Sequence, residues 1–344
     1  MHKFLSLTIV FFASFLFSCG NGSKEKNKDF NIETNAKNNA INLGETLTLS
    51  IKNPKNHTID SVNYTFNGKP ISAETVLDNY KLGDKKIEAT IVYNGETIVL
   101  NKNITLLNNK APKVYTYKIL NEYPHDITSY TQGLEFYNGE LYESTGQRGE
   151  SKLRKVNYKT GKVVLNVDLA NSFFGEGVTV LNNKVYQLTW TSGTGFVYDA
   201  NTLEKTGSFK YGNSKEGWGI CNNKTNLYKS DGTEKIWTIN PETLTETSFI
   251  QAYHNRGKVV GLNELEWVDN KIYANRYQKN GVAIINPENG AIEAVIDFSP
   301  LKKKVKQHQG LDVLNGIAYN PDTKTIFITG KRWDKLFEVE IITN

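Results

Sequence analysis

The sequence predicts an all-β protein in which a five-bladed β-propeller follows a small immunoglobulin-like β-sandwich. The first observation is composition: the 344 residues are 11% aromatic and 22% charged, as in a folded chain with a sizeable core. The second is that alternating runs are separated by turns such as Asn67-Gly68 and Asn94-Gly95, a strong hairpin signal. The third is a strand opening that recurs five times, at intervals of about 40 to 50 residues.

Residues 1–18 are predicted to be a lipoprotein signal peptide. Lys3 precedes an apolar run over residues 4–17 that is too short to span a bilayer comfortably. The ending Leu16-Phe17-Ser18-Cys19 resembles a bacterial lipobox, in which Cys19 becomes the lipidated first residue. An ordinary cleaved signal peptide is the alternative. We therefore expect a protein of the bacterial cell envelope, anchored by lipid on the periplasmic or cell-surface side.

Two regions are predicted between the leader and the propeller. Residues 19–29 are rich in Gly, Asn, Ser, Lys and Glu, which predicts a flexible tether. Residues 30–108 contain short alternating runs such as 47–51 and 86–92, which predict the immunoglobulin-like sandwich. Because no catalytic pattern occurs there, we expect this domain to space the propeller from the membrane or to contact a partner.

Residues 114–344 are predicted to form the propeller. The second repeat shows the unit best, with strands expected at residues 177–181, 184–189, 194–198 and 204–209. Four-stranded units that repeat in this way are typical of blades around a central axis. The run 114–120 is expected to complete the sheet of the C-terminal blade, because that pairing covers edges that would otherwise be exposed.

Several kinds of chemistry find little support in the sequence. Five scattered histidines and two cysteines give no zinc-ligand spacing, so no metal ligands are expected. Cys221 has no disulfide partner beside a lipidated Cys19 and is expected to be a buried small hydrophobe. Gly-x-Ser-x-Gly is absent, which weakens a serine-hydrolase interpretation. A net charge of +5 and one basic run at 302–304 do not indicate a nucleic-acid partner.

Polar and aromatic residues gather at one end of the repeats. In a propeller, the loops at one end of the innermost strands converge on the axis, so residues distant in sequence share a pocket. Taken singly, a tryptophan at a repeat position is commonly a core residue, and Glu176 between two glycines could equally serve a turn. As a set they favour a site, and the candidates are Tyr130, Gln132, Phe174, Glu176, Trp190, Trp218, Asn263, Tyr277 and Lys331.

Seven strings carry most of these candidates. They are Tyr130-Thr131-Gln132-Gly133-Leu134, Phe174-Gly175-Glu176-Gly177-Val178-Thr179, Gln187-Leu188-Thr189-Trp190, Glu216-Gly217-Trp218-Gly219, Leu262-Asn263-Glu264-Leu265-Glu266, Leu314-Asn315-Gly316-Ile317-Ala318 and Ile328-Thr329-Gly330-Lys331-Arg332-Trp333-Asp334-Lys335-Leu336-Phe337. In this order they resemble the plant and bacterial type of glutaminyl-peptide cyclotransferase (glutamine cyclotransferase), a five-bladed β-propeller. The resemblance runs from about residue 117 to residue 341. The N-terminal sandwich lies outside it.

The resemblance implies an enzyme that converts the N-terminal glutamine of peptides or proteins to pyroglutamate and releases ammonia. Such an enzyme is an aminoacyltransferase, within the acyltransferases, and its catalysis is independent of metal. Glu176 would be the essential acid and base, with Lys331 and Asn263 as further catalytic residues. One carboxylate can serve both steps if its pKa is near the operating pH, and an apolar tryptophan wall would raise that pKa. The implied substrate-binding residues are Tyr130, Gln132, Phe174, Trp190, Trp218 and Tyr277.

Two positions depart from the plant pattern. Tyr130 replaces a phenylalanine and Tyr277 stands where a tryptophan is usual, which puts substrate preference in question more than activity. No cofactor for catalysis is expected, although some family members hold calcium in the axial channel, so the resemblance leaves room for a structural calcium ion. Expected partners are peptides or proteins with N-terminal glutamine and, through the lipid anchor, the membrane. The expected state is a monomer.

Two other functions stay open from the sequence. A non-catalytic propeller lipoprotein that binds peptides or glycans would keep the tryptophans but would need neither Glu176 nor Lys331. A scaffold lipoprotein, with the sandwich as its working part, would be favoured if the propeller pocket is filled or closed.

Overall fold

The computed structural model describes residues 29–343. The predicted signal peptide, Cys19 and all of the predicted tether except residue 29 lie outside that range. None of the helices found in it is long and apolar enough to cross a membrane. The described chain forms two compact units: residues 29–35, 47–75 and 86–103 make the first, and residues 36–46, 76–85 and 104–343 make the second.

Eight strands precede the propeller. They are β1 (Asn31–Thr34), β2 (Ala40–Asn42), β3 (Thr46–Lys52), β4 (Ile59–Phe66), β5 (Lys69–Ile71), β6 (Glu74–Val76), β7 (Gly83–Tyr93) and β8 (Glu96–Leu107). They form a three-stranded sheet of order β1-β3-β6 and a five-stranded sheet of order β2-β8-β7-β4-β5. Alternate residues of β7 are buried, as expected for a strand with one face on a core. These two sheets agree with the predicted sandwich class.

Five groups of four strands, here called blades one to five, make up most of the second unit. Blade one contains β10 (Thr131–Tyr137), β11 (Glu140–Thr145), β12 (Lys152–Asn157) and β13 (Lys162–Asp168). Blade two contains β14 (Gly175–Leu181), β15 (Lys184–Thr189), β16 (Thr194–Asp199) and β17 (Lys205–Lys210). Blade three contains β18 (Ile220–Asn222), β19 (Leu227–Ser230), β20 (Lys235–Ile239) and β21 (Glu246–Gln251).

The remaining elements complete blades four and five. After a short ribbon of β22 (Tyr253–His254) and β23 (Gly257–Lys258), blade four contains β24 (Leu262–Val268), β25 (Lys271–Arg276), β26 (Gly281–Ile285) and β27 (Ile292–Asp297). A short helix α1 (Ser299–Lys302) precedes blade five, which contains β28 (Leu314–Asn320), β29 (Thr325–Gly330), β30 (Lys335–Ile342) and β9 (Lys113–Pro124). In each of blades one to four, the four strands lie side by side in the order in which they occur in the sequence.

The innermost strands of the blades form a closed ring. Strand β10 contacts β14, β14 contacts β18, β18 contacts β24, β24 contacts β28, and β28 contacts β10. A circular series of contacts between the first strands of successive sheets is the defining feature of a propeller. The predicted five-bladed propeller is therefore confirmed.

Strand β9 closes the propeller, as the sequence predicts. Its residues 116–124 pair antiparallel with β30, so that Ile119 lies opposite Val339. Its first residues also pair in parallel with β27, where Val114 lies opposite Val295. Blades four and five consequently share one eight-stranded sheet, and the edge of β30 that faces β9 is covered.

Buried carboxyl groups link the innermost strands of different blades. Glu264 of β24 accepts hydrogen bonds from Leu134 N (3.1 Å) and Ile317 N (2.8 Å). Glu135 of β10 accepts one from Val180 N (3.1 Å). Burial raises the pKa of both carboxyl groups above their usual range. The two side chains therefore accept hydrogen bonds from three backbone N–H groups of other blades.

Candidate active site

Four buried polar side chains occupy equivalent positions at the start of the innermost strands. The pairing register shifts between Thr131 and Gly133, between Gly175 and Val178, between Leu262 and Leu265, and between Leu314 and Ile317. Gln132, Glu176, Asn263 and Asn315 lie within these irregularities, and all four are buried. A β-bulge interrupts the regular alternation of side chains along a strand and changes the direction in which a side chain points. The bulges therefore allow these four side chains to depart from that alternation.

The two glycines beside Glu176 are required by close backbone contacts. A Cβ atom at Gly175 would lie 2.5 Å from Thr145 O, and one at Gly177 would lie 2.7 Å from Ile220 N. Neither position has room for a larger residue, because backbone atoms of adjacent strands fill the space. The position of Glu176 is thereby fixed by packing on both sides.

Glu176 is a buried acid with a strongly altered proton affinity. Burial raises its pKa well above the usual range, and the negative charge of Glu216 raises it further, whereas the positive charge of Lys331 lowers it. Gln132 Nε2 donates a hydrogen bond to Glu176 Oε1 at 3.1 Å. This carboxyl group therefore keeps its proton to higher pH than an exposed glutamate does, as a group that transfers protons in catalysis often does.

Lys331 places a positive charge among aromatic faces. Its Nζ lies 4.8 Å from the ring centroid of Tyr130 and 5.4 Å from that of Tyr277. Burial lowers the pKa of Lys331, and the charges of Glu176 and Asp312 partly counter that effect. The ammonium group is thus a buried donor beside the acid, held by ring faces as well as by charge.

Asn315, which is not among the predicted site residues, orients Gln132. Its Nδ2 donates to Gln132 Oε1 at 3.0 Å and to Thr131 O at 3.1 Å. The carbonyl end of the Gln132 amide is therefore fixed, and its NH₂ end faces Glu176. The sequence signal was present, since Leu314-Asn315 repeats the Leu-Asn pattern that contains Asn263.

The aromatic candidates form a wall with two halves. In one half, the ring centroids of Tyr130 and Phe174 are 6.2 Å apart, and those of Phe174 and Trp190 are 5.6 Å apart. In the other half, Trp218 and Tyr277 lie 5.5 Å apart, edge to face. Trp190 is 37% exposed and Tyr277 is 39% exposed, so these rings are not core residues and the wall opens to solvent.

Glu216 joins the two halves. Its Oε2 accepts a hydrogen bond from Trp190 Nε1 at 2.6 Å and another from Trp218 Nε1 at 2.8 Å. On the opposite side Lys331 lies over Tyr130 and Tyr277, which completes a circle of contacts. Glu216 occurs in one of the strings that carry the resemblance but was not predicted as a site residue, because sequence does not reveal which partner a carboxylate takes.

The structure brings the predicted residues into one neighbourhood. A Cβ atom at Gly146 would approach both Phe174 and Gln132, which places the wall next to the polar group at its base. Asn263 lies at the equivalent bulge of β24, and its Oδ1 is buried without a hydrogen-bond partner among residues 29–343. Their chemical roles stay predictions.

A separate cavity lies at the other end of the innermost strands. It has a volume of about 680 Å³, and Leu181, Trp267 and Tyr319 from the ends of β14, β24 and β28 contribute to its lining. The candidate residues lie at the starts of the same strands. The two features therefore lie at opposite ends of the propeller axis.

Residues 91–341 match the family described as glutamine cyclotransferase. The chain belongs to this family. It is similar to a glutaminyl-peptide cyclotransferase of Arabidopsis thaliana, with 39% identity over 227 residues that cover 65% of this chain and 71% of that protein. The crystal structure of Myxococcus xanthus glutaminyl cyclase is 34% identical, with a TM-score of 0.63, and the match covers 68% of this chain and 100% of that one. The resemblance predicted from the seven strings is confirmed.

The match to the glutamine cyclotransferase family starts upstream of the predicted propeller. It begins at residue 91, within β7, and so includes β8 and the connection to β9. All nine candidate residues lie inside it. Residues 29–90 lie outside the family match.

Proposed function

We propose that this protein cyclises the N-terminal glutamine of peptides or proteins to pyroglutamate and releases ammonia. Membership of the glutamine cyclotransferase family supports the reaction class. The observation that carries the proposal is a buried carboxyl group, Glu176, that receives a hydrogen bond from Gln132 and lies at the base of an aromatic wall. A non-catalytic binding propeller would not need a buried acid of this kind.

The reaction requires the transfer of one proton from the α-amine nitrogen to the amide nitrogen that leaves. The α-amine nitrogen attacks the γ-carbonyl carbon, a C–N bond of the five-membered ring forms, and the bond to the amide nitrogen breaks. The attacking amine loses a proton and the departing nitrogen gains one, so that ammonia leaves. We assign both transfers to Glu176, because its raised pKa makes it an effective base for the first transfer and an acid for the second.

Three polar groups are proposed to assist Glu176. The negative charge that develops on the γ-carbonyl oxygen would be stabilised by Lys331, whose ammonium group is buried beside the acid. One well-placed donor of this kind is worth roughly 3 to 4 kcal/mol. Asn263 is proposed as a second hydrogen-bond donor to the same oxygen. Gln132 is proposed to position Glu176 relative to the substrate.

The aromatic wall is proposed to bind the aliphatic part of glutamine and to exclude water from the reacting atoms. Tyr130 differs from phenylalanine by a hydroxyl that donates to Asp312 Oδ2 at 2.8 Å, so the added group is already occupied. The Tyr277 ring lies at the exposed rim. Because a scaffold role requires a closed pocket, the exposure of Trp190 and Tyr277 disfavours that alternative.

The finer assignments are also proposals. We place the enzyme among the aminoacyltransferases, with catalysis independent of metal, in a monomer attached to the bacterial cell envelope through Cys19. Residues 29–343 contain no group of three or more His, Cys, Asp or Glu side chains arranged to hold a metal ion. Glu135 and Glu264 accept hydrogen bonds from backbone N–H groups, so these carboxyl oxygens already have partners and a structural calcium ion would need further ligands. No step of the proposed reaction depends on calcium.

The first test is ammonia release from a dipeptide that begins with glutamine, using the protein from residue 24 onward. Glu176→Gln is expected to reduce kcat by a factor of about 10² to 10⁴, the usual contribution of a general acid and base. Glu204→Gln changes an exposed glutamate of the same blade and should leave kcat unchanged. Zinc chelators should have no effect on the parent.

Two outcomes would contradict the proposal. Equal turnover by the parent and Glu176→Gln would show that another residue transfers the proton. No turnover by a folded parent over a range of glutamine peptides would favour the peptide- or glycan-binding propeller instead.

A further inference from the structure

We propose that Glu216 is a positioning residue for this reaction, because one of its carboxylate oxygens fixes both tryptophans of the substrate wall. The inference rests on the proposed function and assigns a role to a residue outside the catalytic group. Glu216 would act through Trp190, Trp218 and Glu176 rather than on the substrate itself.

The geometry at Glu216 Oε2 is that of a shared anchor. An indole N–H can only donate, and a charged acceptor forms shorter and stronger hydrogen bonds than a neutral one. The distances of 2.6 Å to Trp190 Nε1 and 2.8 Å to Trp218 Nε1 fit such bonds. Trp190 is 37% exposed, so this bond is an important constraint on a ring that solvent reaches.

Each tryptophan held by Glu216 in turn restricts the position of a neighbouring aromatic ring. Trp190 packs edge to face against Phe174, and Trp218 packs in the same way against Tyr277. Loss of Glu216 would therefore loosen both halves of the wall together. Loss of either tryptophan alone would leave the other half anchored.

The backbone that carries Glu216 is itself held from several sides. Glu216 O accepts a hydrogen bond from Lys229 Nζ at 2.9 Å, and Lys229 is fully buried. Gly217 N donates to Trp190 O at 3.1 Å, and a Cβ atom at Gly217 would lie 2.7 Å from Tyr211 Cζ. Position 217 has no room for a side chain, and these hydrogen bonds hold the backbone that presents the carboxylate to both indoles.

Glu216 also acts on the catalytic acid through its charge. Its negative charge raises the pKa of Glu176, in opposition to Lys331. The hydroxyl groups of Tyr130 and Tyr211 also interact with the charge of Glu176, but a tyrosine hydroxyl is neutral near pH 7, and burial raises the pKa of both still further. Removing the charge at position 216 should therefore lower the pKa of Glu176.

Two variants separate the hydrogen bonds from the charge. Glu216→Gln keeps an oxygen that can accept an indole N–H but removes the charge, and it should move the acidic limb of the kcat/KM profile to lower pH by about 0.5 to 1 unit. Glu216→Ala removes both functions and should also raise KM about tenfold or more. Glu242→Gln, an exposed change in blade three, should alter neither quantity.

The readouts distinguish the inference from the proposed function. If the parent releases ammonia but Glu216→Gln leaves the acidic limb in place and Glu216→Ala leaves KM unchanged, Glu216 is not a positioning residue. An acidic limb that moves while KM rises only in the alanine variant would support the inference. A folded parent without turnover would overturn the proposed function, and this inference with it.

Discussion

The pKa of Glu176 is set first by burial and then by two opposite charges. Burial and Glu216 favour the neutral carboxyl group, whereas Lys331 favours the carboxylate. An acid that must accept a proton and then return it works best when neither form is strongly preferred at the operating pH. In the proposed reaction, Lys331 would favour the carboxylate form of Glu176 and Glu216 the neutral form.

Lys331→Met tests the other side of this balance. Methionine keeps an unbranched side chain of similar length but removes the positive charge, so the pKa of Glu176 should rise. The acidic limb of the kcat/KM profile should therefore move to higher pH. This is the opposite direction from Glu216→Gln. Loss of the donor should also reduce kcat by a factor of about 10² to 10³. The measurement is the pH profile of ammonia release from a glutamine dipeptide.

The control for Lys331→Met is Lys118→Met, which changes an exposed lysine of blade five. This variant should keep both the profile and kcat of the parent. If Lys331→Met moved the acidic limb to lower pH, or left it in place, the electrostatic account of Glu176 would be wrong.

At the scale of single residues, the sequence predicts the types of the site residues better than it predicts their contacts. Glu176 and the tryptophans were found because glycines and aromatic residues recur at the strand openings and carry the family resemblance. Asn315 and Glu216 occur in the same strings but are not among the predicted site residues. Their parts depend on a hydrogen bond to Gln132 and on two indole N–H groups, and sequence spacing does not encode those pairings.

At the scale of elements, the glycines of the strand openings are packing residues. A Cβ atom at Gly133 would lie 2.5 Å from Val178 N, and one at Gly219 would lie 2.6 Å from Glu264 Cα. Each glycine of this kind faces the innermost strand of the next blade. The repeated glycine thus permits the close approach of adjacent blades.

Gly219→Ala should destabilise the propeller. Its Cβ atom would press against backbone atoms of Glu264 and Leu265, which cannot rotate away, and overpacking of this kind typically costs about 1 to 3 kcal/mol. Gly207→Ala is the matched control, because its Cβ atom would meet only Val197 Cβ at 3.9 Å. Urea unfolding should show a lower midpoint for Gly219→Ala alone. Equal midpoints would mean that the blades separate easily at this contact.

The elements themselves were predicted well where turns and alternation define them. Strand β15 begins and ends as predicted, and the turn before it has left-handed φ angles of 51° at Asn182 and 60° at Asn183, as Asn-rich hairpins require. Strand β14 begins at Gly175, two residues before the predicted start. The difference arises at the bulge around Glu176, because a bulge breaks the alternation on which the prediction relied.

At the scale of the whole molecule, the second unit is not continuous in sequence. It includes residues 76–85, which precede the predicted boundary at residue 108. Within this unit, Leu82 N donates to Asn289 O at 2.8 Å, and Asp84 N donates to Gln251 Oε1 at 3.0 Å. A boundary inferred from strand composition follows local sequence, whereas these contacts join segments more than 160 residues apart.

Gly83→Ala tests whether residues 76–85 stabilise the propeller. Gly83 has a φ of 97°, and its Cβ atom would lie 2.6 Å from Gln251 Cδ and 2.8 Å from Gln251 Cβ. Gly68→Ala is the matched control, since Gly68 also has a positive φ, of 76°, but no atom lies within 4 Å of its Cβ position and it belongs to the first unit. Both variants share the backbone strain, and only Gly83→Ala adds the clash.

Tryptophan fluorescence reports this comparison selectively, because all five tryptophans lie between residues 190 and 333, in the second unit. Gly83→Ala should lower the midpoint of fluorescence-detected unfolding, by the equivalent of about 1 to 3 kcal/mol for the clash. Gly68→Ala should leave that midpoint near the parent value, since its strain lies outside the unit that the fluorescence reports. A common shift in both variants would mean that the two units unfold together. No shift in Gly83→Ala would mean that residues 76–85 are attached to the propeller without stabilising it.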